Sequence, residues 1–273
     1  MVRKINNLLF TKLKELGGGI ILILSTPLDN WWTYILFRLR VVKGPIPLMF
    51  TYNHTKLSFS SGSPSQSTNN VNMINEQFFK EEYKWLDVKG RTVVDVGANI
   101  GDTAIYFAVN GASHVYSFEP YPYSYNQAKR NIKMNGIKNI TLLNVGCGKR
   151  GRITIDPKFA NAGGSDLHPS KKGVTVRIRS LADIVRSYGM YDPVLKVDCE
   201  GCEYPLLLGA SNADLQKFSR MQIEYHYGYE SLVKKLAAAG FAVRHSEPKH
   251  AFNQFASDPY MSTGIIYAER RPG

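Results

Sequence analysis

At 273 residues and 44% hydrophobic content, the chain can hold one α/β domain with a real core plus an N-terminal extension. Its three cysteines, Cys147, Cys199 and Cys202, exclude a disulfide framework and suit a reducing compartment. The formal charge of +12 is compatible with an anionic partner (nucleic acid, an acidic membrane face or an acidic glycan) and equally with a role in solubility alone.

Residues 1–57 read as an apolar and basic extension. Arg3, Lys4, Lys12 and Lys14 precede the run Ile20-Ile21-Leu22-Ile23-Leu24, and Trp31-Trp32-Thr33-Tyr34-Ile35-Leu36-Phe37 precedes Arg38, Arg40 and Lys43. Pro27, Asp29 and Asn30 stand between, so neither apolar half reaches the roughly 20 residues of a spanning helix. The basic start and short apolar core also suit a signal peptide, but the cysteine usage and the nucleotide-type site downstream argue for a cytoplasmic protein. Aromatics beside arginines fit peripheral contact with an anionic membrane surface. The plainer alternative is a helical extension packed on the rest of the chain or on a second subunit. Residues 58–74, rich in Ser, Asn, Gly and Pro, read as a linker, and 75–273 as the main domain, opened by a helix over 75–86.

The most informative stretch follows. Thr92-Val93-Val94-Asp95-Val96 reads as a buried parallel strand. It ends in an acid, turns through Gly97-Ala98-Asn99-Ile100-Gly101, and enters an apolar helix over 103–109. A second strand over 114–118 leads to Glu119-Pro120. This is a nucleotide-type site at the carboxyl ends of parallel strands. A dinucleotide fingerprint, G-x-G-x-x-G, serves a pyrophosphate. Here Asp95 stands in the turn and Asp102 opens the helix, and two acids are unwelcome beside a pyrophosphate. They suit a ligand with an ammonium, a sulfonium and a ribose, which describes S-adenosylmethionine. Glu119 is placed to accept hydrogen bonds from the ribose hydroxyls.

Beyond that turn, 123–135 reads as a helix with Gly136 as its C-cap, and 139–145 as a strand. Residues 152–156 and 174–178 read as an added hairpin around a glycine-rich loop, 161–173. A helix over 181–188, a strand over 194–198, a strand over 221–225 and a helix over 229–239 precede final strands over 241–244 and 264–268. Alternating β and α segments predict a mainly parallel sheet with helices on both faces.

The downstream run Val194-Leu195-Lys196-Val197-Asp198-Cys199-Glu200-Gly201-Cys202-Glu203 resembles the K-x-D-x-E-G-x-E signature of FkbM-type S-adenosylmethionine-dependent methyltransferases. The resemblance runs from about 79 to 268 and includes Asn161-Ala162-Gly163-Gly164-Ser165, Leu181-Ala182-Asp183-Ile184 and Gln222-Ile223-Glu224-Tyr225-His226. The family usually has small apolar or aliphatic residues at Cys199 and Cys202, and an acid at Ala182. The resemblance implies an α/β, Rossmann-like, seven-stranded class I methyltransferase sheet, mostly parallel, with an antiparallel last strand. It also implies O-methylation of a hydroxyl on a sugar, glycan, lipid-linked saccharide or secondary metabolite.

The cofactor residues expected are Asp95, Gly97, Ala98, Asn99 and Gly101 for the methionine part, Glu119 and Pro120 for the ribose, Asn144 and Gly146 along the adenine edge, and Asp198 for the ammonium. Tyr121 is either packed by the adenine or an exposed loop aromatic. The catalytic candidates are Asp198, Glu200, Glu224 and His226. A carboxylate can take the proton of an acceptor hydroxyl, and His226 is a candidate general base whose strand places it on the same face as Glu224. Glu203 is read either with this cluster or as the cap of the next helix. Two of the acids could also hold a divalent ion, but no metal is assigned: Cys199-x-x-Cys202 matches a zinc or redox half-motif and lacks a second pair. Those cysteines are read as small buried residues. The loop over 161–172, with Lys158, Lys171, Lys172 and His168 around it, is read as a substrate-side lid or a surface hairpin tip. Two alternatives to O-methylation stand: RNA methylation, supported by the charge and opposed by the lack of an Asn-Pro-Pro-Tyr-type motif, and a non-catalytic cofactor-binding or scaffold protein.

Overall fold

The structure is a computed structural model, and it describes residues 26–156, 171–250 and 261–271. The run 20–24 and the loop motif 161–165, with Lys158 and His168, lie outside the described residues. The chain divides into two compact units, one of residues 1–82 with 133–136 and the other of 83–132 with 137–273.

In the first unit, helix α1 (Trp31–Arg38) buries Tyr34 and Phe37 and is followed by strands β1 (Pro47–Tyr52) and β2 (Thr55–Ser60). These pair antiparallel through a two-residue turn, Asn53-His54, whose φ values of 45° and 62° match the twist of a tight hairpin. Helix α2 (Ser67–Ile74) and a π-helical turn (Asn75–Phe79) complete it. Phe50, Phe59 and Phe78 pack edge-on or stacked in its core. The expected linker over 58–74 is therefore ordered structure. The helix was concealed because its buried stripe, Ser67, Asn70, Val71 and Ile74, is half polar. Asn70 is accommodated there by donating to the Ser60 carbonyl. The helix expected over 75–86 is instead the π-helical turn followed by a 3₁₀ turn, Lys84–Leu86.

In the second unit, β3 (Thr92–Val96), α3 (Asp102–Val109), β4 (His114–Phe118), α4 (Pro122–Met134) and β5 (Ile140–Leu143) form the first half of a doubly wound sheet. Short strand β6 (Gly146–Cys147), with β7 (Gly151–Ile155) and β8 (Val174–Arg179), makes a separate three-stranded sheet. Then come α5 (Leu181–Ser187), β9 (Val194–Val197), α6 (Glu203–Leu208), α7 (Asn212–Leu215), β10 (Arg220–Tyr225), α8 (Glu230–Ala238), β11 (Phe241–His245), β12 (Lys249–His250) and β13 (Ser262–Arg270). The main sheet runs β11-β13-β10-β9-β3-β4-β5, with β12 attached to β13. All neighbours from β10 to β5 are parallel, and β13 is antiparallel to both β10 and β11. Every residue of β3 and β9 is buried, as expected of central strands covered on both faces. The order in which strands are added switches sides between β3 and β9, which themselves run parallel, so a crevice opens at their carboxyl ends, where ligands of such sheets bind.

Candidate active site

The turn after β3 is held from three sides. The amides of Gly97 and Ala98 both donate to the Phe118 carbonyl, and the Asn99 amide donates to Oε2 of Glu119 at 2.9 Å. Gly97 has φ +86°, and a Cβ there would overlap the carbonyl oxygen of Asp198. Gly101 has φ +83°, and a Cβ there would crowd Ala128 of α4. The glycines thus serve close approach of the protein to itself: Gly97 lets β9 run beside the turn, and Gly101 lets α4 pack on the start of α3.

Asp95 is fully buried. Its carboxylate accepts from Thr103 Oγ1 at 3.1 and 3.0 Å and from Ser117 Oγ at 2.9 Å, and it lies 3.4 Å from Lys196 Nζ. The sequence suggests an open ligand group for the methionine end; Asp95 is instead a brace with its acceptor capacity used inside the sheet. Lys196, absent from the expected site residues, is its counter-ion. Lys196 is 1% exposed and donates to the carbonyls of Gly97 at 2.8 Å and Val96 at 3.3 Å. Burial alone would lower its pKa, but Asp95, Asp198 and Asp102 raise it, so the ammonium stays charged.

Glu119 closes the next wall. Oε1 accepts from the Tyr121 amide and Oε2 from the Asn99 amide, both at 2.9 Å. Burial pushes its carboxyl up to about 7 against those amides, and pushes Asp102, at the first turn of α3, up to about 7 against Lys196. Asn144 donates to the carbonyls of Glu119 and Pro120, which fixes the loop. Gly146 opens the short strand β6, paired with Ile178. Tyr121 is neither exposed nor a loop tip: it is buried with Ile155, Val176 and Ile178.

The acid-rich segment after β9 forms one cluster with the end of β10. His226, 3% exposed, puts Nδ1 at 2.9 Å from Glu203 Oε1. Its Nε2 lies 3.2 Å from Glu200 Oε2 and 4.0 Å from Asp198 Oδ1. Glu203 is fully buried and also accepts from the Gly201 amide at 2.9 Å. It is the anchor of His226 rather than a solvent-facing helix cap. Burial alone would lower the His226 pKa; the hydrogen bond and charge of Glu203, then Glu200 and Asp198, outweigh it and hold the imidazole at about 10. Glu224 does not belong to this group among the described residues; it is half-buried on β10 opposite Ile265. Cys199 and Cys202 are joined by a disulfide across Glu200-Gly201, so the reading of both as plain buried residues is corrected. The loop between them brings the sulfurs together, which composition cannot show. Cys147 is the free thiol among the described residues, and burial pushes its pKa well up.

A family model described as the methyltransferase FkbM domain matches residues 95–243, which contain every group just described. The chain belongs to the FkbM methyltransferase family. It is an S-adenosylmethionine-dependent methyltransferase. No curated protein matches the chain. Solved structures similar to it include the precorrin-6y C5,15-methyltransferase from Geobacter metallireducens (14% identity, 70% of this chain and 86% of that one, TM-score 0.41). The M. jannaschii TYW2 structure in complex with AdoMet is 15% identical over 84% of this chain and 89% of that one, TM-score 0.40. The magnesium protoporphyrin IX methyltransferase (ChlM) from Synechocystis PCC 6803 with bound SAM is 14% identical over 75% and 83%, TM-score 0.42. Likenesses at this level say nothing of what this FkbM protein methylates.

The residues fit the cofactor. Each oxygen of Glu119 accepts a single backbone N–H, which leaves lone pairs for hydroxyl donors. Asp102, Glu119 and Asp198 give this end of the sheet an acidic wall, while Lys196, the buried lysine among the described residues, is turned onto Asp95, two carbonyls and, at 3.8 Å, Asp198. Such a wall suits a cationic, ribose-bearing ligand without phosphate.

Proposed function

We propose that this FkbM enzyme methylates a hydroxyl oxygen on a sugar, glycan, lipid-linked saccharide or secondary metabolite. The observation that carries the reading is the Asp198–Glu200–His226 cluster, whose Asp198 carbonyl abuts Gly97 of the cofactor turn. With the cofactor bound, Glu119 would hold the ribose hydroxyls, Asn144 and Gly146 would border the base, and Asp102 with Asp198 would face the ammonium. Bound S-adenosylmethionine supplies an electrophilic methyl group on a good leaving group. The protein therefore has to align the acceptor, exclude water and remove a proton. The acceptor oxygen forms its bond to carbon as the carbon–sulfur bond breaks, with the electron pair staying on sulfur. The hydroxyl proton passes to a carboxylate of the Asp198–Glu200 pair. His226, charged at neutral pH in this surrounding, holds Glu200 in place and is a positioning group rather than the base.

The test is a calorimetric titration of S-adenosylmethionine and S-adenosylhomocysteine into the purified protein, followed by labelled methyl transfer to a panel of hydroxylated acceptors. Binding that is lost in Glu119→Ala, with label transferred to a hydroxylated saccharide, supports the reading. Label transferred instead to tRNA, with salt-dependent tRNA binding, moves it to RNA methylation. Folded protein that binds neither cofactor leaves only the scaffold alternative.

The second part of the proposal concerns α1. Trp31 and Trp32 are 52% and 58% exposed, with exposed Leu39, Arg40, Val41 and Lys43 following. Exposed tryptophans among cations suit the headgroup region of an anionic membrane. Arg38 is not part of that surface, because its guanidinium donates to Pro64, Ser67 and Thr68. Among the described residues no helix is long and apolar enough to cross a membrane.

A further inference from the structure

The cluster at the ends of β9 and β10 has the make-up of a metal site. One ligand-type atom from each of Asp198, Glu200 and His226 lies within 4.8 Å of the others. His226 is almost wholly buried and aims Nε2 between the two carboxylates. Its other nitrogen is already engaged by Glu203, itself fully buried and fixed by the Gly201 amide. A carboxylate behind an imidazole is how proteins orient a histidine ligand: it fixes the ring and tautomer and directs the free nitrogen at the ion. Lys196 pairs with Asp198 at 3.8 Å from the side of Asp95, at 3.4 Å, and the Gly97 carbonyl, at 2.8 Å. A proton on His226 and a metal ion at Nε2 are alternatives for this cluster, and the two are experimentally separable.

We propose that Asp198, Glu200 and His226 bind one divalent cation through two carboxylate oxygens and Nε2. The site deepens the methyl-transfer reading and rests on it. Two oxygens and one imidazole suit a first-row transition ion such as Mn²⁺, which keeps open positions beside a few protein ligands. Those positions take the acceptor hydroxyl and a neighbouring oxygen, as a sugar diol offers. With the ion bound, Nε2 of His226 gives up its proton and both carboxylates become ligands, so the acceptor hydroxyl, its pKa lowered by coordination, loses its proton to solvent water in place of the carboxylate route of the ion-free site. The position is right for this: the backbone of Asp198 touches the turn that borders the cofactor.

The experiment strips the full-length protein with a chelator and adds Mn²⁺ alone. We expect one Mn²⁺ per chain from loss of the free-ion EPR signal, with nitrogen coupling from an imidazole in the pulsed spectrum. Glu200→Gln and Asp198→Asn should weaken binding about 10-fold or more, and His226→Ala should abolish the nitrogen coupling. Glu203→Gln should weaken binding about 10-fold while the coupling persists. Glu200 is only partly buried on its loop, so Glu200→Gln decides the matter if His226→Ala does not fold. Mn²⁺ bound without nitrogen coupling, or undiminished in Glu200→Gln, overturns the site, because the ion then sits elsewhere. S-adenosylmethionine titrated into the same samples separates the two readings. Cofactor binding without Mn²⁺ binding overturns the ion site alone; loss of cofactor binding in folded protein overturns the methyltransferase assignment of this crevice.

Discussion

Single residues set the inner wall of the site. Asp95 and Lys196 are a buried pair, and removing one charge strands the other. Asp95→Asn should lower the free energy of unfolding by about 3–5 kcal/mol in urea titration, well above its effect on any surface contact. Gly97→Ala meets both a positive φ and the Asp198 carbonyl, so about 2–4 kcal/mol of stability should be lost, with cofactor affinity falling alongside. Asp102 and Glu119 give a pH signature. Burial raises both to about 7 from ordinary values of 3.8 and 4.5, so the fold holds protons that the unfolded chain releases. Their contribution is complete below about pH 4 and is lost as pH rises to about 7. Without cofactor, the melting temperature should therefore fall across that window, and Glu119→Gln should flatten the fall. Cofactor affinity should move the other way, because ionised acids bind ammonium and hydroxyl groups better. These residues were legible as an acidic turn. What the letters did not reveal was the division of labour: Asp95 faces inward to Lys196, and Glu119 takes the amides of Asn99 and Tyr121.

Elements position what single residues cannot. The segment from Asp198 to Glu203 leaves β9, turns through Glu200 at φ +57° and Gly201 at φ +113°, and starts α6. The Cys199–Cys202 disulfide closes that turn and holds Glu200 near His226. Replacing both cysteines by serine should cost about 2 kcal/mol for so small a loop and raise the KM for the acceptor. A thermal scan with and without a dithiol checks the first effect in the wild-type chain, where Cys147 is too buried to confuse the result. The sequence suggested two small buried residues here, since a cysteine pair three apart in an acidic motif carries no mark of its redox state. Elsewhere, strand runs were readable because β-branched residues alternate or cluster, and the start of α5 is marked by Ser180 and Asp183, which form a reciprocal cap. The hairpin of β1 and β2 went unread because Asn53-His54 is not an Asn-Gly turn, yet both residues adopt positive φ.

At the scale of the whole molecule, the membrane proposal is tested with vesicles. Changing Trp31 and Trp32 to serine should reduce co-sedimentation with anionic vesicles several-fold and leave methyl transfer to a soluble acceptor unchanged. Equal sedimentation by both proteins removes the membrane from the proposal. The charge of +12 alone does not decide this, because net charge acts on association without specifying a partner. By itself the sequence determined the doubly wound sheet, the acidic nucleotide turn and the family, since strand periodicity, glycine spacing and the Lys196–Glu203 motif are local patterns written along the chain. Only the tertiary structure decided that Lys196 neutralises Asp95, that Glu203 holds His226, and that a disulfide ties the acid loop. Those contacts join positions as far as 101 residues apart (196 minus 95), across parallel strands whose register no local pattern contains.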